Sequence, residues 1–315
     1  MAPFSPFWRR EEVKNAAIPR IAFADPTDPR VRDATERIRT ERIADPILID
    51  GPLSGDERRR SAQLLFERQT KHGVTIEAAE KQLEDPLYRG IAMLLDKKVD
   101  GLIAGSLRPT ADIVRAALHC VGLKHGHKMV AGHFLIETDK LSTADGTPFL
   151  FADCAVVPEP SPRSLAAIAI DAAASYRFFT GKDPRVALLS FSTRGSAEHP
   201  LVDRIRQALA IIREHDPSLV VDGEIQLDAA VDPEVARIKK ATDSPVAGKA
   251  NVFVFPTLES GNIGYKLIQR FGTARIAGPL LWGLDRPMSD LSRGCTVDEI
   301  TDTAFCLSTL IRRMN

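Results

Sequence analysis

The stretch VALLSFSTRGS, residues 186–196, sets the fold class because it joins a short apolar run directly to a polar, glycine-containing turn. A helical pattern follows from about Pro200. Strand, polar turn and helix in this order are typical of a parallel sheet covered by helices. Backbone amides and a helix amino terminus can close around an anion at such a turn. The stretch therefore predicts an α/β fold with an anion site, although an ordinary polar turn would have the same composition.

Short apolar runs alternate with amphipathic stretches along the rest of the chain, which predicts a mainly parallel sheet with helices on both faces. With 315 residues, 44% of them hydrophobic, the chain can bury a large core, and we expect two domains. The predicted strands are Ile21–Ala24, Pro46–Ile49, Gly101–Gly105, Met129–Thr138, Phe149–Ala155, Val186–Phe191, Asn251–Phe255 and Ile276–Leu281.

Capping residues predict the ends of two helices. Ser54 and Glu57 form a capping-box pattern that begins a helix, and we expect this helix to reach about His72 and to stop at Gly73. A second helix is predicted from Ser161-Pro162 to Gly181. Residues 128–155 break the alternation, because two β-rich runs flank the turn-forming TADGTP at 143–148. This pattern predicts an antiparallel hairpin, and we place the start of the second domain just before it.

Composition excludes several classes of partner. Lys plus Arg and Asp plus Glu number 42 each, so the formal net charge is zero, and we expect neither nucleic acid nor a membrane as partner. The first twenty residues carry charges where a signal peptide needs an apolar stretch, and no apolar run reaches membrane-spanning length. We expect a cytoplasmic protein without a disulfide framework, because the four cysteines are widely spaced: Cys120, Cys154, Cys295 and Cys306.

Two further segments could approach a ligand closely. SPVAGKAN, residues 244–251, contains Gly-Lys, but Asp243 and Ala250 occupy the positions where a P-loop needs Gly and a hydroxyl residue. A tight turn before a buried strand is the alternative. ESGNIGYK, residues 259–266, places small residues before a predicted helix, but it lacks the third glycine of a dinucleotide-binding motif.

The segment DLSRGCTVDE, residues 290–299, gathers a hydroxyl, a guanidinium and carboxylates before the last predicted helix, which ends near Met314. Such a set could bind an anion and relay a proton. Thr296 and Glu299 also form a capping-box pattern, so Glu299 could instead stabilise the start of the helix. We expect Cys295 to be a packed thiol rather than a nucleophile, since no histidine lies near it in sequence.

Taken in order, five motifs resemble those of the phosphate acetyltransferases in the phosphate acetyl/butyryl transferase family. They are SFSTRGSA at 190–197, GEIQLDAA at 223–230, SPVAGKANV at 244–252, GNIGYK at 261–266 and DLSRGC at 290–295. ADIVRAAL at 111–118 and FLFAD at 149–153 also look like family segments. The resemblance covers nearly the whole chain and is weakest before about Gly73.

This resemblance implies a homodimer of subunits with two α/β/α domains, the second inserted into the first as in isocitrate and isopropylmalate dehydrogenases. Residues 1–127 and 282–315 would form the first domain and residues 128–281 the second, with the active site in the cleft between them. The substrates would be acetyl-CoA or coenzyme A, acetyl phosphate and inorganic phosphate. No metal is expected, and no cofactor other than coenzyme A, which acts as a substrate.

The resemblance also implies roles for individual residues. A carboxylate accepts the thiol proton of coenzyme A, the thiolate attacks the acetyl phosphate carbonyl, and an arginine stabilises the developing charge. By position, the arginine is Arg293, the neighbouring hydroxyl is Ser292 and the carboxylate is Glu299, where the family usually has Asp; Asp298 is the alternative base.

Binding residues are implied in the same way. Coenzyme A would contact Arg115, and Arg68 could replace the family's second basic residue, whose position is Gln69 here. The expected contacts of phosphate or acetyl phosphate are Ser190, Ser192, Thr193, Gly195, Lys249, Asn251, Gly261 and Asn262. Two alternatives stay open, a non-catalytic sensor of acyl-CoA and a phosphate acyltransferase for butyryl or longer acyl groups.

Overall fold

The structure is a computed structural model that describes residues 6–8 and 17–314. Within this part of the chain, ten strands and eleven α-helices alternate, as the sequence pattern predicts for an α/β fold. The strands are β1 Arg20–Phe23, β2 Asp45–Leu48, β3 Gly101–Ala104, β4 Ala131–Thr138, β5 Phe149–Ala152, β6 Val186–Leu189, β7 Val221–Ile225, β8 Val252–Val254, β9 Ala274–Trp282 and β10 Met288–Asp290. The helices are α1 Pro29–Thr40, α2 Gly55–Gln69, α3 Ile76–Gln82, α4 Pro86–Leu95, α5 Thr110–Ala116, α6 Pro162–Thr180, α7 Pro200–His215, α8 Leu227–Val231, α9 Pro233–Ile238, α10 Leu258–Phe271 and α11 Val297–Met314. Short 3₁₀ turns lie at Pro6–Trp8 and Thr70–His72, and a π-helical turn at Ala117–Val121.

The chain divides into two compact units. The central unit comprises Ala131–Ile276 with the described residues of Met1–Arg9, and the flanking unit comprises the described residues of Arg10–Val130 and Ala277–Asn315. The polypeptide therefore leaves the flanking unit after Val130 and returns to it at Ala277.

In the flanking unit, the strand order is β2-β1-β3-β10-β9. β1 pairs in parallel with β2 and β3, and β10 pairs in parallel with β3. β9 is antiparallel to β10, with Leu280 opposite Ser289. Ile21, Ala22 and Phe23 are all buried, as expected for a parallel strand with helices on both faces.

In the central unit, the strand order is β4-β5-β8-β6-β7. β4 and β5 form the predicted antiparallel hairpin, and β5, β8, β6 and β7 run parallel to one another. Apolar side chains on one face of this sheet pack under α8, α9 and α10 in a single cluster that includes Phe151, Phe253 and Tyr265. Burial of this cluster fixes the register of the central strands.

The predicted helix ends are confirmed. Ser54 caps α2 by accepting the backbone N–H of Glu57, and Gly73 lies in the left-handed region at φ 74° just after the following 3₁₀ turn. Ser161 caps α6, and Gly181 ends that helix at φ 68°. Glycine suits both ends because a Cβ there would be sterically unfavourable.

Two strands, β7 and β10, are absent from the sequence prediction. β7 has the sequence VDGEI, in which Asp222 and Glu224 are buried and pair with arginines. β10 is the three-residue stretch MSD, which is also fully buried. In both cases, buried polar side chains remove the apolar pattern on which the prediction depends. Among the described residues, no helix combines the length and the apolar character that crossing a bilayer requires.

Candidate active site

The turn that follows β10 carries Ser292 and Arg293 and is fixed through its backbone by Arg30. This arginine, on α1, donates from Nη1 to the carbonyl oxygens of Arg293 at 2.9 Å and Cys295 at 2.8 Å. Its Nη2 donates to Asp28 Oδ2 at 2.7 Å. Burial alone would raise the pKa of Asp28, but the hydrogen bonds from Arg30 and Ser106 hold it below its ordinary value. The Arg30–Asp28 ion pair thus holds the backbone of the turn, and the Arg293 side chain takes no part in these bonds.

The Arg293 side chain is exposed, and in the described part of the chain no carboxylate forms an ion pair with its guanidinium. Ser292 is half-buried, and its Oγ accepts the Gly294 N–H at 3.3 Å. A guanidinium with uncommitted donors beside a hydroxyl suits the binding of a carbonyl or phosphoryl oxygen.

The two candidate bases differ in environment. Glu299 Oε2 accepts the backbone N–H of Thr296 at 2.9 Å, and Thr296 Oγ1 accepts the N–H of Glu299 at 3.2 Å, so the predicted capping box is present at the start of α11. Asp298 is mostly exposed and pairs with Arg37 on α1. Glu299 is therefore held in place at the helix start, whereas Asp298 is committed to a surface ion pair.

Asp290, the last residue of β10, is buried, and its Oδ2 accepts the Thr110 hydroxyl at 2.5 Å. Burial raises the pKa of Asp290 to about 7; Asp25 adds to the rise, whereas Thr110, the Leu291 N–H and Arg293 oppose it. The carboxyl lies so close to Gly105 that a Cβ there would sit 2.0 Å from Oδ1. This titratable group lies two residues before Ser292 in the sequence.

The predicted coenzyme A contacts lie on the helices of the flanking unit. Arg115, on α5, is exposed and pairs with Asp112 at 3.0 Å. Arg68, near the end of α2, is also exposed. Gln69 is buried and exchanges hydrogen bonds with Gln82, at 2.8 and 3.2 Å. The residue at the family's basic position is therefore a core amide here, and Arg68 is the neighbouring cation at the surface.

In the central unit, the loop of residues 190–197 follows β6 as predicted, but its polar groups are largely used inside the protein. Ser192 is fully buried and donates to Glu224 Oε1 at 3.2 Å. Thr193 Oγ1 donates to Gln226 Oε1 at 3.1 Å and accepts the Gln226 N–H at 2.9 Å. The Gly195 N–H donates to Glu224 Oε1 at 2.7 Å. Ser190 Oγ accepts the Ser192 N–H at 3.2 Å.

The segment of residues 244–251 forms the tight turn before a buried strand that the sequence analysis gave as an alternative. Asn251 is fully buried, where Oδ1 accepts the Arg185 N–H at 2.6 Å and Nδ2 donates to the Asp183 carbonyl at 3.1 Å. Lys249 is exposed, and its carbonyl accepts from Arg185 Nε at 2.6 Å. Asn251 thus connects β8 to the segment before β6, and Lys249 presents its amine to solvent.

The prediction that Gly261 and Asn262 precede a helix is wrong, because both lie inside α10. Thr257 and Ser260 form a capping box that starts this helix earlier than the small residues suggested. Gly261 packs so tightly that a Cβ would lie 2.5 Å from the Asp153 carbonyl oxygen. Asn262 Nδ2 donates to the Cys154 carbonyl at 3.3 Å. The small residue allows α10 to pack against the loop after β5.

Comparisons with known proteins identify the family of the chain. The family model described as phosphate acetyl/butaryl transferase matches residues 51–307. The chain belongs to this family. A phosphate acetyltransferase of Paracoccus denitrificans is 41% identical over 311 residues, which cover 94% of this chain and 96% of the relative.

Solved structures agree with the phosphate acetyl/butaryl transferase assignment. A phosphotransacetylase of Streptococcus pyogenes superposes with a TM-score of 0.81 at 36% identity, over 93% of this chain and 94% of the other. A 4-hydroxythreonine-4-phosphate dehydrogenase of Klebsiella pneumoniae gives a TM-score of 0.51 at 12% identity, over 95% and 99% of the two chains, which is a likeness of fold alone. The predicted family and the predicted dehydrogenase-like α/β fold are confirmed.

Several residues of this phosphate acetyl/butaryl transferase chain that organise the site were not predicted. Glu224 lay within the quoted motif GEIQLDAA, but nothing in the sequence pairs it with the loop of residues 190–197. Asp153, at the end of FLFAD, accepts the N–H groups of Gly132, Ala155, Val156 and Val157. Burial raises the pKa of Asp153 despite these four donors. Both are acidic residues inside recognised motifs, and a charged residue that the fold buries usually has a specific partner. That feature of the motifs could have identified both residues.

Cys295 is a packed thiol, as predicted, and the other three cysteines are also free and buried. Cys295 is buried, and burial raises its thiol pKa to about 12 despite the nearby Arg30. Cys120 is likewise buried, with a pKa of about 12. Neither thiol carries useful thiolate at neutral pH, which disfavours a cysteine nucleophile. Within the described residues, no group of three or more His, Cys, Asp or Glu side chains is arranged to hold a metal ion.

Proposed function

We propose that this chain is a phosphate acetyltransferase that interconverts acetyl-CoA plus phosphate with acetyl phosphate plus coenzyme A. Membership of the phosphate acetyl/butaryl transferase family and the names of full-length relatives support this reaction. The observation that carries the proposal is the turn after β10, where Arg30 fixes the backbone and leaves the Arg293 guanidinium uncommitted. A non-catalytic sensor of acyl-CoA would not require an uncommitted cation beside a hydroxyl on a fixed turn.

In the proposed mechanism, coenzyme A and acetyl phosphate bind together and the thiol attacks the acetyl carbonyl directly. The S–H proton passes to a carboxylate, the C–S bond forms, and the C–O bond to phosphate breaks with phosphate as leaving group. A free thiol titrates about 4 pH units above a glutamate carboxyl in solution, so complete proton transfer before attack would cost about 6 kcal/mol. Transfer is therefore partial in the transition state, where the Arg293 guanidinium stabilises the developing oxyanion.

We assign the proton acceptor to Glu299 rather than Asp298. The capping box holds Glu299 at the start of α11 through one oxygen, Oε2. Positive charge at a helix amino terminus favours an anion in this region. Asp298 pairs with Arg37 and lies mostly in solvent. The proposed base has a fixed position, which proton transfer at a defined distance requires.

The remaining contacts follow from exposure and charge. Arg115 and Arg68 are exposed cations on neighbouring parts of the flanking unit and suit the phosphate groups of coenzyme A. In the central unit, Lys249 presents a cation and Ser190 a hydroxyl, and both suit the phosphoryl group of acetyl phosphate. Ser192, Thr193, Gly195, Asn251, Gly261 and Asn262 would then shape the site through the internal bonds described above rather than through direct contact.

We also propose that two copies associate through α10. Ile263, Leu267 and Phe271 recur at every fourth position and are 52%, 51% and 86% exposed, so they form an apolar stripe along one face of this helix. Glu259 and Arg270 are exposed near opposite ends of the same helix. Antiparallel pairing about a two-fold axis would bury the stripe and place each acid near the base of the other copy.

The experiment that tests the function is direct. The pure protein is mixed with coenzyme A and acetyl phosphate, and thioester absorbance is followed, with butyryl phosphate in a parallel reaction. Fast thioester formation from acetyl phosphate supports the proposal. A clear preference for butyryl phosphate would indicate the longer-chain alternative, and binding of acyl-CoA without turnover would indicate a sensor.

A further inference from the structure

The loop of residues 190–197 is folded around the carboxylate of Glu224. This side chain, on β7, is only 4% exposed. Its Oε1 accepts the Gly195 N–H at 2.7 Å and the Ser192 hydroxyl at 3.2 Å. The backbone carbonyl of the same residue accepts the Arg194 N–H at 3.3 Å. One residue therefore binds two consecutive backbone amides and one hydroxyl of the loop.

The backbone of the loop turns sharply at Arg194 and Gly195. Arg194 has φ 52° and Gly195 has φ 79°, so consecutive residues lie in the left-handed region, which is sterically unfavourable for an arginine. The Arg194 N–H donates to the backbone carbonyl of Glu224, and the Gly195 N–H donates to the carboxylate of the same residue. Both acceptors belong to Glu224, so the loop does not need a bound phosphate to adopt this shape.

Arg206, on α7, stabilises the charge of Glu224. Its Nε donates to Oε2 at 2.9 Å and its Nη2 to Oε1 at 3.0 Å. Burial alone would raise the pKa of Glu224, but Arg206 and the Gly195 amide hold it below its ordinary value. The carboxylate is thus ionised at neutral pH and is a permanent part of the loop.

These internal bonds leave one hydroxyl proton of the loop uncommitted. Ser192 donates to Glu224 and Thr193 donates to Gln226. Ser196 Oγ lies 3.3 Å from Ser192 Oγ and can donate to it. Ser190 Oγ accepts the Ser192 N–H, and in the described part of the chain its own proton has no acceptor.

We propose that Glu224 is a positioning residue, which acts as a built-in anion that folds the loop and thereby places the Ser190 hydroxyl to donate to the phosphoryl group of the acyl phosphate. Glu224 itself does not touch the substrate. This inference rests on the proposed function, since it assigns a phosphoryl contact to the same enzyme.

The test is a double-mutant cycle with Glu224→Gln and Ser190→Ala in the full chain, with KM for acetyl phosphate and for coenzyme A measured separately. Each single change is expected to raise the KM for acetyl phosphate about tenfold or more, as for the loss of a hydrogen bond to a charged group. The KM for coenzyme A should stay within about twofold of the unchanged protein. Because both changes remove the same contact, the double variant should be no worse than the poorer single variant.

Two further variants keep the test decisive. Arg206→Gln leaves the carboxylate and its bonds to Gly195 and Ser192 in place, so it should raise the KM for acetyl phosphate less than Glu224→Gln does. Asp145→Asn is the matched control, since Asp145 pairs with Arg185 at 3.1 Å in the same unit and is not bonded to the loop. It should leave both KM values unchanged.

The outcomes separate the two proposals. If the unchanged protein forms no thioester from any acyl phosphate, the proposed function fails. If it is active but Glu224→Gln lowers only the melting temperature, or if the effects of Glu224→Gln and Ser190→Ala multiply, the positioning role is wrong and the function stands.

Discussion

Glu299 Oε2 lies 2.9 Å from the backbone nitrogen of Thr296, so the proposed catalytic base is also the residue that caps the last helix. The two roles can be separated because glutamine also completes a capping box. Glu299→Gln keeps the cap and removes the proton acceptor. We therefore expect its kcat to fall about 100-fold or more, with little change in melting temperature.

Asp298→Asn is the matched control for that variant, because Asp298 is the adjacent carboxylate and pairs with Arg37 at the surface. Loss of this exposed pair should change stability by about 1 kcal/mol at most and leave kcat nearly unchanged. A large fall in kcat for Asp298→Asn, with Glu299→Gln active, would exchange the roles of the two residues. Steady-state kinetics and thermal denaturation on the same samples provide both readouts.

Asp290 should make the stability of the protein depend on pH. Its pKa of about 7 lies above the value of an unfolded Asp, so the native state binds an extra proton between about pH 4 and pH 7. The free energy of unfolding should therefore fall as pH rises through this window, by about 4 kcal/mol in all, since about three pKa units separate the two states.

Asp290→Asn isolates this contribution. The Thr110 hydroxyl can still donate to the Asn side-chain oxygen, so the fold should persist. Denaturant titrations at pH 5 and pH 7.5 should show that the stability difference between the variant and the unchanged protein grows in favour of the variant at the higher pH. An equal difference at both values would mean that Asp290 ionises normally despite Asp25 and its burial.

Gly261 is predicted to be needed for packing rather than for direct binding. A Cβ at this position would lie 2.5 Å from the Asp153 carbonyl oxygen and 3.0 Å from Cys154 Sγ. Gly261→Ala should therefore destabilise the protein by about 1 to 3 kcal/mol. In Gly55→Ala, the nearest atom to the new Cβ is Arg59 Nη1 at 3.9 Å, so this helix-start control should be neutral or slightly stabilising. Equal melting temperatures for the two variants would contradict the tight packing.

The α10 stripe predicts the oligomeric state. Leu267→Glu places a charge in the proposed contact between copies and should convert a dimer to a monomer in sedimentation or light scattering. Leu107→Glu is the control, because Leu107 is 54% exposed and belongs to the flanking unit rather than to the α10 stripe. A monomeric unchanged protein, or a Leu267→Glu variant that remains dimeric, would remove α10 from the interface.

Sequence patterns predicted those parts of the fold that depend on local features, such as apolar runs, helix caps and turns. The buried run Val186–Leu189, the cap at Ser54 and the turn around Gly146 are local features, and each forms as expected. β7 was missed because Asp222 and Glu224 make it look like a turn, and tertiary partners such as the arginines of α7 make burial of those charges acceptable. Ion pairs between different elements produce no periodic pattern in the sequence, so sequence patterns cannot predict them.

The candidate site was predictable only in part, for the same reason. The motif around Ser292 and Arg293 is contiguous, so the sequence identified it, but the support from Arg30 depends on a contact across more than 260 positions. Likewise, the hydroxyls after β6 read as phosphate ligands, whereas the fold commits those of Ser192 and Thr193 to Glu224 and Gln226. Sequence reveals which groups are available, and the tertiary contacts decide which of them remain free for a substrate.

The most direct test of the proposed mechanism is the turnover number of Arg293→Ala with acetyl phosphate and coenzyme A, measured beside the dissociation constant of coenzyme A. We predict that kcat falls about 100-fold to 1,000-fold, as when a donor to a developing oxyanion is removed, while coenzyme A binding changes by less than about tenfold. Near-normal turnover in this variant would contradict the assignment of Arg293 to the reaction.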